Sequence, residues 1–183
     1  MELLRRHLLK YSIRTGEFVL KSGRRSSWFC DAKQTACRAD GIVLVADAVL
    51  EAMPEDIDAI GGLAAGADPV AFGVAAIAAE RGRPLRAFSI RKEAKDHGVQ
   101  GRLAGALCSG DRVLIVEDTV TRGSSPLEAA RVVRALGGEP RMILAVVDRG
   151  GTCAAAAAGA GLEFRALLTA PDLGFPYEPA GEP

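Results

Sequence analysis

The sequence predicts an α/β fold: a central, mostly parallel sheet flanked by helices, with a small N-terminal hood. Three observations carry that expectation. From about residue 40 onward, short apolar runs alternate with segments of helical period. The runs at 58–63, 113–116 and 142–147 are nearly unbroken, as strands covered on both faces are. Before residue 40 the pattern differs, with one amphipathic helix and two strands joined by turn chemistry.

The elements follow in order. Residues 2–14 place leucines at 3, 4, 8 and 9 on one helical stripe, which suits packing on the domain or on a second subunit. Residues 16–23 read as a strand and tight turn, and 26–31 as the returning strand. A helix is expected over 40–53, with Asp40 as N-cap and Pro54 ending it. The strand at 58–63 runs into a glycine turn. The next helix, 69–81, has Asp68 as N-cap and Pro69 at its first position. A third strand spans 84–91. Residues 93–103 are polar and glycine-bracketed, and read as a long mobile loop of the kind that serves as a lid.

The stretch DRVLIVEDTVTRGSS, 111–125, is the centre of the reading. Its strand, 113–116, ends in the acids Glu117 and Asp118, and a hydroxyl-rich turn follows. Ser125 is the expected N-cap of a helix to residue 136, with Pro126 first and Glu128 completing a capping box. Gly137-Gly138 stops that helix. The strand at 142–147 ends in Asp148-Arg149. An alanine-rich short helix is expected over 152–161 and a last strand over 162–169. The proline-bearing tail reads as loose. The chain is one domain, 1–183, divided into helix and hood (1–38), α/β core (39–170) and tail (171–183).

Composition narrows the function. Acids and bases balance at 23 each, which gives no overall pull toward nucleic acid or a membrane surface. The four cysteines are scattered without a C-x-x-C pair, and there are two histidines, so neither zinc nor a disulfide scaffold is expected. The start, MELLRRHLLK, mixes charges into its apolar residues, unlike a signal peptide, and no apolar run approaches a membrane span. The expected location is cytoplasmic.

The central stretch suits a sugar phosphate. Adjacent acids at a strand end accept hydrogen bonds from vicinal sugar hydroxyls. Thr119, Thr121, Ser124 and Ser125 offer hydroxyl donors, and Gly123 lets the backbone close on an anion. The N–H groups of a turn and helix N-terminus favour negative charge, and open α/β sheets bind ligands at this edge. The bland reading is a strand-to-helix turn whose polar residues only cap. Two other groups carry the same ambiguity. Lys21 near Trp28 and Phe29 is either a cation beside a ring-binding surface or a solvated lysine beside core aromatics. Arg91, Lys92, Lys95 and His97 are either a charged lid or a solvated loop.

Four apolar residues, two acids and T-x-T-x-G-S resemble the phosphoribosyl-pyrophosphate (PRPP) signature of type I phosphoribosyltransferases. Arg91-Lys92-Glu93-Ala94-Lys95-Asp96-His97-Gly98 resembles the catalytic-loop motif R-K-x-x-K-x-H-G of the orotate phosphoribosyltransferases. The motifs stand in the family's order and spacing, and the resemblance runs from about residue 16 to 149. It implies the type I phosphoribosyltransferase fold and transfer of phosphoribose from PRPP to orotate, giving orotidine 5′-monophosphate and pyrophosphate. By resemblance, Lys95, Glu117 and Asp118 are catalytic. Arg91, Lys92, Lys95, His97 and the run Glu117, Asp118, Thr119, Val120, Thr121, Arg122, Gly123, Ser124 and Ser125 bind PRPP. Lys21, Phe29, Thr121 and Arg149 bind orotate, with Arg149 on its carboxylate, while Trp28 only packs. Mg²⁺ is the implied cofactor, held through substrate and water rather than by direct protein ligands. A homodimer sharing the catalytic loop is implied, with no nucleic-acid or membrane partner. Three positions depart from the family pattern. The pyrophosphate loop has Gly66-Ala67 where many members carry a lysine, the acid pair is Glu-Asp rather than Asp-Asp, and Arg122 replaces a small residue.

Two rivals remain. A transferase for another base would keep the ribose-phosphate loop without needing 91–98, Lys21 and Arg149 together. A PRPP-sensing regulator would be expected to add a nucleic-acid-binding segment or a basic face.

Overall fold

The computed structural model describes residues 1–19, 23, 25–95 and 101–178. Among these, six strands form one sheet in the order β5-β4-β3-β6-β7-β8, and two more form a separate hairpin. The strands are β1 (Ile13–Val19), β2 (Arg25–Cys30), β3 (Ala59–Leu63), β4 (Arg86–Lys95), β5 (Gly101–Gly105), β6 (Arg112–Val120), β7 (Glu139–Asp148) and β8 (Glu163–Thr169). The helices are α1 (Glu2–Tyr11), α2 (Lys33–Ala36), α3 (Ala39–Ala52), α4 (Ala67–Glu80), α5 (Ser124–Ala135) and α6 (Cys153–Gly159).

β3, β4, β6, β7 and β8 are parallel, and β5 runs antiparallel to β4. The unbroken apolar runs are explained by side-chain alternation. Leu114 and Val116 join α3 and α4 in one core, through Val45, Val49, Val70 and Val74. Val113 and Ile115 join α5 and α6 in the other, through Ala129, Val133 and Ala157. Fully burying such a side chain contributes about 1.5–3 kcal/mol. At the N-terminal edge, Asp58 accepts two bonds from the Arg112 guanidinium and one from its backbone N–H, at 2.9, 3.1 and 3.0 Å. These bonds tie β3 to β6 and leave the opposite, carboxyl edge for chemistry. No helix among the described residues is long and apolar enough to cross a membrane.

Several expectations need correction. α1 ends at Tyr11 rather than residue 14, because Ile13 and Arg14 pair with Cys30 and Phe29 in the hairpin. Leu4 and Leu8 settle α1 onto the domain core. α3 starts before Asp40, which makes no cap bond and instead lies 3.4 Å from His7 Nε2. α4 starts at Ala67, so Asp68 sits in the first turn; the fully buried Ala67 packs on the sheet and draws the helix start forward. Much of the expected loop at 93–103 is strand. β4 continues to Lys95 and β5 returns from Gly101, so Arg91, Lys92 and Lys95 stand on a strand rather than in a loop. β6 continues to Val120 because its ladder with β7 runs on to Val120↔Asp148.

The tail is packed through residue 178 rather than loose. A 3₁₀ turn at Pro171–Leu173 leads to Phe175, which stacks on Trp28 with centroids 4.7 Å apart. Trp28 is thereby buried, in keeping with its expected packing role.

Candidate active site

β6 carries the acid pair to the carboxyl edge. Glu117 and Asp118 are 6% and 5% exposed, yet neither is in the apolar core. Asp118 Oδ1 accepts the Thr119 N–H at 2.7 Å, and Glu117 Oε1 accepts the Asp118 N–H at 3.2 Å. Both carboxylates end beside the turn between β3 and α4. A Cβ added at Gly66 would stand 2.3 Å from Glu117 Oε1 and 2.6 Å from Asp118 Oδ1, so any larger residue there requires the carboxylates to shift. Burial, reinforced by the negative charge of Asp118, pushes the Glu117 carboxyl up to about 8.

A lysine not anticipated from the sequence completes this group. Lys33, on α2, donates to Asp118 Oδ2 at 3.0 Å and lies 3.1 Å from Asp31 Oδ1. Partial burial works against its ammonium form, but the hydrogen bonds and charges of Asp118 and Asp31 together outweigh this and its pKa is raised. Its only sequence signal was a cation two residues past Asp31, which has no spacing rule to single it out.

The loop after β6 turns through Gly123, at φ +82°, and α5 begins two residues earlier than expected. Gly123 tolerates the left-handed backbone, and a Cβ there would also meet Cys153 Sγ at 2.5 Å. The predicted capping box is absent. No side chain caps α5, Pro126 is its third residue, and Glu128 instead accepts from Arg102 of β5. Arg102 carries a full positive charge, which draws the carboxylate away from the helix start.

Two cavities meet at the acid pair. The larger, about 1100 Å³, lies between the hood and the β6–α5 loop. Its walls include Phe29, Asp118, Thr119, Val120, Thr121, Arg122, Gly123, Ser124, Ser125 and Arg149, all predicted. They also include Arg14, Arg25, Ser26 and Glu178, which were not. The smaller, about 250 Å³, is bounded by residues 63–66, Lys92, Glu117 and Lys33. Arg91 lines neither cavity, and its Nη1 donates to the Leu103 carbonyl at 3.2 Å. Lys95 is the last residue of β4, its backbone paired with Gly101. Lys21 and His97 lie outside the described residues.

Arg149 stands at the far wall of the larger cavity. Its guanidinium lies 4.9 Å from the Trp28 ring and 5.7 Å from the Phe29 ring, and its Nη2 donates to Glu178. Glu178 was missed because the tail carries no periodicity from which packing could be read.

A parallel sheet that presents an acid pair and a hydroxyl-rich loop at its carboxyl edge, under a hairpin hood, is a type I phosphoribosyltransferase fold. No protein-family model matches the chain. The orotate phosphoribosyltransferase of Corynebacterium glutamicum is 42% identical over 160 residues, covering 87% of this chain and 85% of its own. The chain belongs to the orotate phosphoribosyltransferase family. The crystal structure of a Corynebacterium diphtheriae phosphoribosyltransferase superposes with a TM-score of 0.84 at 33% identity, covering 95% of this chain and 98% of that one. The Mycobacterium tuberculosis orotate phosphoribosyltransferase in complex with PRPP superposes with a TM-score of 0.78 at 32% identity, covering 94% and 98%.

Proposed function

We propose that this chain transfers the phosphoribosyl group of PRPP to orotate N1, giving orotidine 5′-monophosphate and pyrophosphate in pyrimidine biosynthesis. The observation that carries this reading is the shared edge of the two cavities. The acid pair stands between a roomy cleft ending at Arg149 and a small pocket beside the β3–α4 turn. A nucleoside monophosphate fits the first and a leaving diphosphate the second.

In the reaction, the C1′–O bond to pyrophosphate breaks and its electron pair leaves with the diphosphate. Orotate N1 bonds to C1′, its proton having passed to solvent. Positive charge develops on the ribose as the bond loosens. Asp118 and Glu117 accept hydrogen bonds from the ribose hydroxyls, and the Asp118 carboxylate favours the cationic sugar. Thr121, Ser124, Ser125 and the backbone around Gly123 hold the 5′-phosphate at the start of α5. Arg149 pairs with the orotate carboxylate, a geometry that suits a planar guanidinium. Phe29 covers the ring. Lys95, with Arg91, Lys92 and His97, closes over the diphosphate as its charge grows. Lys21 reaches the pyrimidine from the hood.

Mg²⁺ would be held through substrate oxygens and water, with the Asp118 carboxylate beside the small pocket placed to accept from metal-bound water. When bound, it neutralises charge on the diphosphate. The reading includes a single domain, a cytoplasmic location and a homodimer that shares the catalytic loop between subunits.

The test is absorbance-monitored consumption of orotate with PRPP and Mg²⁺, beside uracil, adenine and hypoxanthine. Orotate-specific turnover that requires Mg²⁺ is expected. Turnover of another base would discard the pyrimidine pocket. PRPP binding without any turnover would leave a sensor.

A further inference from the structure

We infer that Lys33 is a further substrate-contacting cation of this transfer: it balances the acid pair before PRPP arrives and moves to the diphosphate once ribose hydroxyls engage Asp118. The inference rests on the transferase reading and deepens it.

Lys33 occupies the junction of the two cavities. Among the described residues, four line both, namely Lys33, Asp118, Thr119 and Ser125, and Lys33 is the cation of the four. Its ammonium lies 3.0 Å from Asp118 Oδ2 and 3.1 Å from Asp31 Oδ1. Its side chain is 48% exposed, so the head group is not locked by packing. A lysine is a compact charge on a four-carbon stem and can re-aim across a pocket this small.

The small pocket needs such a group. Its floor carries Glu117 and Asp118, and its other wall is Leu63, Ala64, Ala65 and Gly66, without a cation. Gly66 itself brings no side chain to the pocket, and a Cβ there would crowd both carboxylates. A diphosphate entering there meets carboxylate charge on one side and backbone on the other. Lys92 lines the pocket from β4. Lys33 is the cation already in contact with the acids. When ribose hydroxyls take the Asp118 oxygens, its hydrogen bond there is lost and the diphosphate oxygens are the acceptors within the same pocket. No proton moves in this step. The C1′–O electron pair leaves with the diphosphate, and Lys33 balances the charge that results.

The two directions of the reaction separate this role from a structural one. Orotidine 5′-monophosphate uses Asp118 but not the diphosphate pocket, whereas pyrophosphate uses that pocket. Lys33→Ala, Lys33→Gln and Lys33→Arg are compared in the full chain with Mg²⁺, with thermal melts checking the fold. Lys33→Ala and Lys33→Gln are expected to raise KM for PRPP and, in reverse, for pyrophosphate by about tenfold or more, about 1.4 kcal/mol each. KM for orotidine 5′-monophosphate should stay within about twofold, and Lys33→Arg should recover most of the loss. If KM for both reverse substrates rises together, Lys33 only orients Asp118 and the inference is overturned. If neither moves, it is overturned as a spectator. If the unaltered chain turns over neither orotate nor orotidine 5′-monophosphate, the transferase reading itself fails, and the inference with it.

Discussion

Arg149 and Glu178 form a buried ion pair at the back of the large cavity, with the Glu178 backbone N–H also donating to the Arg149 carbonyl at 2.7 Å. Ser26 Oγ, from the hood, lies 3.0 Å from the same carboxylate. One tail residue thus links β7, the hood and the cleft wall. Removing one member of a buried pair leaves an uncompensated charge. Glu178→Ala should therefore cost about 3–5 kcal/mol in urea unfolding. A ligand carboxylate can replace the missing charge, so orotidine 5′-monophosphate should raise the melting temperature more in Glu178→Ala than in the parent. Equal shifts would show that the ligand carboxylate does not reach Arg149.

The acid pair predicts a pH dependence of stability. Glu117 titrates near 8 in the folded chain, against an ordinary value of 4.5. Between these values the folded protein keeps a proton that the unfolded chain has released. Stability from this group is thus highest below pH 4.5 and falls as pH rises toward 8, by at most about 1.4 kcal/mol per unit. Urea unfolding at pH 5, 6.5 and 8 should show a steeper loss for the parent than for Glu117→Gln, which cannot ionise. Parallel curves would mean that Glu117 is ionised throughout.

Gly66→Ala tests the close approach of the β3–α4 turn. The new methyl must displace the two carboxylate ends or the turn itself. Overpacking of this kind costs about 1–3 kcal/mol in stability. The expected kinetic result is a raised KM for PRPP with little change in KM for orotate. Normal PRPP kinetics would place the diphosphate elsewhere.

Lys95 and Arg149 should fail in different ways. Lys95→Ala is expected to lower kcat by about 10²–10³, because its partner charge develops at the transition state. Arg149→Ala is expected mainly to raise KM for orotate, by about tenfold or more. Near-normal turnover in the first, or unchanged orotate KM in the second, would remove the assigned role.

Much of this molecule was readable along the chain. The runs 58–63, 113–116 and 142–147 are strands because nearly every side chain in them is buried on one face or the other. The motif from Glu117 to Ser125 was readable because a short segment carries both its acids and its hydroxyls. Local chemistry of this sort survives folding unchanged.

Element boundaries and capping were less readable, since they answer to partners. β6 runs to Val120 because β7 is there to pair with it, and Glu128 leaves its cap because Arg102 lies across from it. The sheet, the acid-and-hydroxyl loop after β6 and the arginine at the end of β7 were legible along the chain, because each is written in contiguous residues. Only the tertiary structure decided that Lys33 meets Asp118, 85 positions away, and that Glu178 meets Arg149. Those pairings depend on where α2 and the tail settle. That is governed by burial of Trp28, Phe175 and the neighbouring core rather than by any pattern at the charged residues themselves.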